Sequence, residues 1–196
     1  MASLPRNAAK KFYNLVVQVA IIRPGPIVGK MMNPYMRRRQ KKEKVTYPVE
    51  SLCPVLGRTL GVPLFQEQLL RMAMVVANFT GAEAEELRKT VGMRRSQKRM
   101  QELTVKLRQG MTSNGIECAT QDMIVQSISS FALYGFPESH AASFALIAYA
   151  SAYFQVKYLA AFTCAMLNNQ PMGFYMPAVI VKDAQRHQLR IRPIDI

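Results

Sequence analysis

An all-α fold, mainly helical with little or no β, follows from three features of the 196-residue chain. Apolar residues recur at helical spacing in one segment after another. No stretch shows a convincing two-residue alternation of a strand, and no internal repeat is visible. Helix start and stop signals punctuate the segments at workable distances.

Asn7 is placed to cap a first helix over about 8–22, with Phe12, Leu15, Val16, Val19 and Ala20 on one face. Arg23-Pro24-Gly25-Pro26 stops it, since two prolines around a glycine force a rigid extended turn. Asn33 and Pro34 read as N-cap and first position of a short basic helix, YMRRRQKK. A loop punctuated by Pro48, Pro54 and Gly61 leads to a helix over 64–77. Thr80 with Glu83 forms a capping box, so the next helix starts near Gly81 and ends before Gly92. Ser96 caps the following one, whose inner face is Met100, Leu103, Leu107 and Met111, and Asn114-Gly115 stops it. A helix over about 120–133 precedes the stretch 134–169.

That stretch predicts a helix of about seven turns, with Pro137 closing the preceding segment and Ser139 as N-cap. Ala141, Ala145, Ala148 and Ala152 form a stripe of small side chains, while Phe144, Ile147, Phe154 and Tyr158 supply bulk elsewhere. No Lys or Arg occurs between Gln109 and Val156, although the chain has 26 of them. A helix apolar on most faces is buried, so this one is expected to be the core and the rest its covering. A short helix over about 177–187 follows, and RIRPIDI is extended.

Apolar residues are 49% of the chain, enough to bury a core. The net charge of +14 points first to a partner rich in phosphate and second to an anionic membrane surface. Cys53, Cys118 and Cys164 lie far apart with no CxxC pair, which argues against zinc and a disulfide framework and fits a reducing cytoplasm. No apolar run is long enough for a membrane span. The chain stops in mid-phrase at Ile196, so a fragment of a longer protein is expected.

The charge is concentrated. Lys30, Arg37, Arg38, Arg39, Lys41, Lys42 and Lys44 stand against Glu43 alone, and Arg88, Lys89, Arg94, Arg95, Lys98, Arg99, Lys106 and Arg108 against Glu102 alone. Helical surfaces usually balance the signs, and these do not, which favours phosphate contacts over two plain solvated faces. Arg23 in the proline-rich turn is either incidental or a guanidinium held where a phosphate passes. Ser139 and His140 are adjacent at a helix start and lack a third member, which disfavours a hydrolase. His140 is either a satisfied buried histidine or a positioned donor to a nucleotide. Two-metal phosphoryl transfer needs neighbouring carboxylates. The aspartates Asp122, Asp183 and Asp195 are unpaired, and Glu83, Glu85 and Glu86 suit a helix dipole, so no catalytic metal site is expected.

The segments IIRPGPIVGKMMNPYMRRR, GVPLFQEQ, AEELRKTVG, YGFPESHAASFALIAYASAYFQVKYLAAF and LNNQPMGFY resemble the C-family bacterial DNA polymerases, which include the α subunit of DNA polymerase III. The resemblance covers essentially the whole chain and is strongest to the error-prone, damage-tolerant branch. It implies a helical fingers domain over 1–172 and the cut-short start of a helix-hairpin-helix DNA-binding module over 173–196. The palm, with its catalytic aspartates and magnesium, would lie upstream. It also implies deoxynucleotidyl transfer to a primer by the intact enzyme, with primer–template DNA, deoxynucleoside triphosphate, a sliding clamp and other damage-response proteins as partners.

By the same resemblance, Arg88 and Lys89 match a basic pair that reaches the triphosphate, where charge compensation favours in-line attack. Arg23, His140 and Ser139 gain support as nucleotide-pocket residues by position. The DNA-binding set is Lys30, Arg37, Arg38, Arg39, Arg94, Arg95, Lys98 and Arg99. Three departures stand out: Lys89 where the family has Arg, Val49-Glu50 after Tyr47-Pro48 where relatives often have His-Pro, and Gln188 where a helix-ending Gly is common. The rival is a free-standing basic helical nucleic-acid-binding module without catalysis, and the polymerase-like segment at 134–169 speaks against it.

Overall fold

The computed structural model describes residues 5, 7–22, 34–92, 97–132 and 136–192, which divide between two compact units, Met1–Phe144 and Ala145–Ile196. Among the described residues there is no strand. One isolated parallel bridge joins Phe65 and Phe136. No described helix is long and apolar enough to cross a membrane.

The first unit is organised by α4 (Gln66–Ala77). Its residues Leu69, Met72, Ala73 and Val76 follow the helical repeat and are all buried. Around it pack α5 (Gly81–Gly92), α6 (Gln97–Ser113) and α7 (Cys118–Ala132). They bring Leu87, Leu103, Leu107, Met111, Ile124 and Ile128 into one core. A helical corner closes one side: α3 (Cys53–Leu56) between 3-10 turns Glu50–Leu52 and Gly57–Thr59, with Leu52 and Leu56 inward. The expected inner face of α6 is realised, and Gly115 at φ 72° ends that helix as predicted. The capping box of α5 forms in both directions: Thr80 N–H donates to Glu83 at 2.8 Å, and Glu83 N–H donates to the Thr80 hydroxyl at 3.3 Å.

α1 (Phe12–Ile21) starts later than predicted, and Asn7 is not its cap. The cap comes from inside the helix: the Asn14 side-chain oxygen accepts the N–H groups of Lys10 and Lys11, each at 3.1 Å. Asn7 instead donates to the Asn14 carbonyl at 2.9 Å. The buried face of α1 is Val16, Val17, Ala20 and Ile21, rotated from the predicted one, and Phe12 is exposed. A short helix over 34–39 (α2) buries Tyr35. The predicted cap at Asn33, the cap at Ser96 and the turn at 23–26 lie outside the described residues.

The long apolar stretch is where the structure corrects the sequence most. It forms two helices, α8 (Glu138–Lys157) and α9 (Leu159–Asn168), interrupted at Tyr158, whose φ −137° and ψ 47° are not helical. Nor is α8 the core. Ala141 and Ala145 are fully buried, but Phe144, Leu146, Ile147, Tyr149, Phe154 and Val156 are all exposed. Only the first part of the small stripe lies against protein, because Ala side chains fill the close approach while the large apolar groups point outward. Ser139 is the second residue of α8 and not its cap.

The second unit pairs α9 with α10 (Pro177–Arg186), burying Thr163 and Ala184. Proline at the first helical position starts α10 as predicted. At its end Gln188 takes φ 70°, and the Leu189 N–H reaches back to the Ala184 carbonyl at 3.0 Å, the hydrogen bond of a left-handed helix cap.

Candidate nucleotide and nucleic-acid interface

The start of α8 is seated on the start of α4. The Gln66 N–H donates to the Phe136 carbonyl at 3.1 Å, and the Glu138 N–H donates to the Glu67 carboxylate at 2.9 Å. The first intrahelical bond runs from Ala141 N–H to the Pro137 carbonyl at 3.1 Å. Pro137 is therefore the cap residue, and the N–H groups of Ser139 and His140 belong to the open first turn. Both residues are exposed. His140 is thus not the satisfied buried histidine that sequence alone allowed. Its ring stands between Phe136, at 5.1 Å, and Phe144, at 4.6 Å. Two aromatic neighbours hold an exposed imidazole in one place at little cost in entropy.

Beneath this turn lies a cluster that sequence reasoning missed. The Tyr13 hydroxyl donates to Glu138 Oε1 at 2.8 Å. Arg58 lies 3.4 Å from the same oxygen and places its guanidinium 3.7 Å from the centre of the Tyr13 ring. Burial, with the Glu138 hydrogen bond second, pushes the Tyr13 phenol well above its usual range, so it remains a donor. Glu67 and Glu138 sit within sequence motifs already singled out. Tyr13 and Arg58 carried no signal, because each is an ordinary residue until the fold brings it to Glu138.

Arg88, on α5, is held by Glu85 one turn before it through two bonds of 2.9 and 2.5 Å. That pairing is the main reason its guanidinium stays charged more firmly than usual, and the Glu67 carboxylate adds to it. Glu67 thus touches α8 and acts on Arg88 at once. Lys89 lies 4.0 Å from Glu85. Glu85 and Arg88 are both half-buried, so a phosphate approaching Arg88 has to join or displace Glu85 at the guanidinium.

The remaining basic residues separate into two groups. Arg38 donates to Glu43 at 3.0 Å, to the Leu60 carbonyl at 2.8 Å and to the Thr46 hydroxyl at 3.1 Å. Arg39 donates to the carbonyls of Asn7 and Ala8, each at 3.0 Å, and to Asn14 at 2.9 Å. Both tie the loops of the first unit together. Arg37, 3.6 Å from Glu43, remains largely exposed, as does Lys98. Arg99 bridges Glu86 and Glu102, and Lys106 pairs with Glu83. The acids of α5 thus do more than suit its dipole: they compensate the basic face of α6. Arg23, Lys30, Arg94 and Arg95 lie outside the described residues. Among the described residues, no three His, Cys, Asp or Glu side chains come together as a metal site would need.

The described helices make an all-α module with exposed basic side chains on α2, α5 and α6 and an open helix turn at Ser139 and His140. The chain belongs to the family described as "Bacterial DNA polymerase III alpha subunit finger domain", which matches residues 1–115. All 196 residues are 53% identical to the "Error-prone DNA polymerase" of Anaeromyxobacter dehalogenans (strain 2CP-C), covering 17% of that protein. The "Error-prone DNA polymerase 3" of Agrobacterium fabrum is 53% identical over the full chain, which covers 18% of it. The "Error-prone DNA polymerase" of Pseudomonas savastanoi pv. phaseolicola is 50% identical, with 19% covered. The chain therefore spans less than a fifth of the length of these curated relatives.

Proposed function

We propose that this chain supplies the incoming-nucleotide and template contacts of an error-prone DNA polymerase. The observation that carries the reading is identity of about half along all 196 residues to proteins of that name. The reaction is deoxynucleotidyl transfer to a DNA primer across damaged template, in replication and repair. Magnesium belongs to the palm of the intact enzyme; the described residues of this chain bring no three acidic, His or Cys side chains together to hold it. What the chain contributes is positive charge and helix-terminus donors around a triphosphate: Arg88 and Lys89 on α5, the open turn at Ser139 and His140, and Arg23. Arg37, Lys98 and Arg99, with Lys30, Arg94 and Arg95, bind template backbone. Arg38 and Arg39 contribute by anchoring α2, which carries Arg37, to the neighbouring loops. The fingers domain runs over 1–172, and 173–196 begins a helix-hairpin-helix module. The intact enzyme works in the cytoplasm, a compartment that suits three exposed free cysteines, and is tethered by a sliding clamp.

Primer extension by a full-length polymerase carrying this segment tests the reading. Arg88→Ala is expected to raise KM for the nucleotide at least about tenfold, and Arg88→Lys to recover part of that loss, since it restores charge without the two-point geometry. An unchanged KM in Arg88→Ala sinks the assignment. The isolated chain is expected to bind primer–template weakly, in a strongly salt-dependent way, and to extend nothing.

A further inference from the structure

Resting on the nucleotide reading above, we propose that Tyr13, Arg58, Glu67 and Glu138 form a latch that fixes the first turn of α8 against α1, the 3-10 turn Gly57–Thr59 and α4, and so positions His140 for the incoming nucleotide. The bonds are few and specific. Glu67 takes the first N–H of α8, and Glu138 turns its carboxylate back to Tyr13 and Arg58. The Phe65–Phe136 bridge fixes the chain just ahead of that turn. Tyr13 is itself seated, with its ring 6.4 Å from that of Phe65 and Arg58 over its face.

The large apolar side chains of α8 do not perform this task. Phe144 and Ile147 are exposed, and the fully buried side chains of the first turns are the small ones, Ala141 and Ala145. Methyl groups set distance but fix rotation about the helix axis only weakly. The two carboxylates set rotation, because one holds the main-chain N–H of residue 138 and the other ties the side chain of the same residue to Tyr13. Rotation of this turn moves the His140 ring between Phe136 and Phe144 and redirects the N–H groups of Ser139 and His140. Small errors of placement in a nucleotide site weaken productive binding strongly. Glu67 bonds the first N–H of α8 directly, so its contribution to the latch is to that turn. These four are positioning residues; none needs to touch the nucleotide.

The test uses a full-length polymerase carrying this segment. Tyr13→Phe removes one hydroxyl and leaves the ring. Glu138→Ala removes the acceptor, and Glu138→Gln keeps an oxygen for Tyr13. Amide exchange over residues 138–141 is expected to quicken about tenfold in Tyr13→Phe and Glu138→Ala, and to stay near wild type in Glu138→Gln, while core amides of α4 do not change. Nucleotide KM should follow the same order, with kcat changed less than about twofold. Unchanged exchange in Glu138→Ala overturns the latch. Faster exchange with unchanged KM, where Arg88→Ala does raise KM, overturns its positioning role and leaves the nucleotide reading standing. If Arg88→Ala leaves KM unchanged, the nucleotide reading fails and the positioning role falls with it, whatever the exchange shows. A lower Tm with kcat reduced and KM constant marks a merely structural role and also overturns the proposal.

Discussion

Gly110 of α6 rests directly on the main chain of Ala77, the last residue of α4. A Cβ at 110 would overlap the Ala77 carbonyl oxygen and lie 2.8 Å from its carbonyl carbon and Cα. Mid-helix glycine costs about 1 kcal/mol relative to alanine, and the contact explains why it is there. Gly110→Ala is therefore expected to destabilise the chain by about 1–3 kcal/mol, the range for overpacking, despite its better helix propensity. Urea unfolding measures it; a gain in stability would mean the two helices can move apart freely.

Gln68 is a buried polar residue with every bonding direction used. Its oxygen accepts the N–H groups of Leu64 and Phe65 at 2.8 and 3.0 Å. Its amide donates to the Val55 carbonyl at 3.1 Å and the Thr59 hydroxyl at 2.8 Å. Gln68→Leu keeps the volume roughly but strands those groups. A loss of at least about 2 kcal/mol is expected, from leaving buried donors and acceptors unpaired. A loss below about 0.5 kcal/mol would show that water reaches them.

Glu83 carries a pH dependence that can be read. Its bond to Lys106, and then its bonds to Thr80, hold its carboxyl down to about 2 from the ordinary 4.5. A group whose folded-state value is depressed stabilises above its unfolded value and loses that contribution as pH falls through the folded one. Stability should therefore decline between about pH 4.5 and 2. Glu83→Gln, which can still complete the capping box, should flatten that decline. Thermal melts across this range test it. An equal slope in both proteins would assign the decline to other carboxylates, Glu85 first, which Arg88 holds low in the same way.

Gln188 stands at φ 70°, where a side chain is strained and glycine is not. Gln188→Gly is expected to stabilise the second unit by about 1 kcal/mol, net of the greater freedom glycine has when unfolded. A rise in the midpoint of thermal unfolding followed at α9 and α10 is the readout. No change would mean that the cap is already relaxed by its neighbours.

Local signals were legible in the sequence wherever one helix turn contains the whole cause. The box at Thr80 and Glu83, the inner face of α6 and the stop at Gly115 each depend on residues a few positions from one another. The family was legible as well, from RPGP, the FQEQ helix and the SHAAS segment in that order. The failures share one reason. Asn7 looked like a cap because its type suits one, yet Asn14 performs the capping and Asn7 holds the loop instead. The run 134–169 looked like a core because it lacks charge, yet its bulky groups face outward.

By itself the sequence determined the helical class, the order of helices, several of their ends and the kinship with polymerase fingers. Those follow from short-range sterics, capping and composition. Only the tertiary structure decided which helix is central, which arginines are occupied within the protein and which residues surround His140. Burial and pairing depend on what folds back from far along the chain: Arg58 meets Glu138 across 80 positions, and Tyr13 meets it across 125. No periodicity encodes such a meeting, because the attraction acts only once packing of the core has brought the two groups to bonding distance.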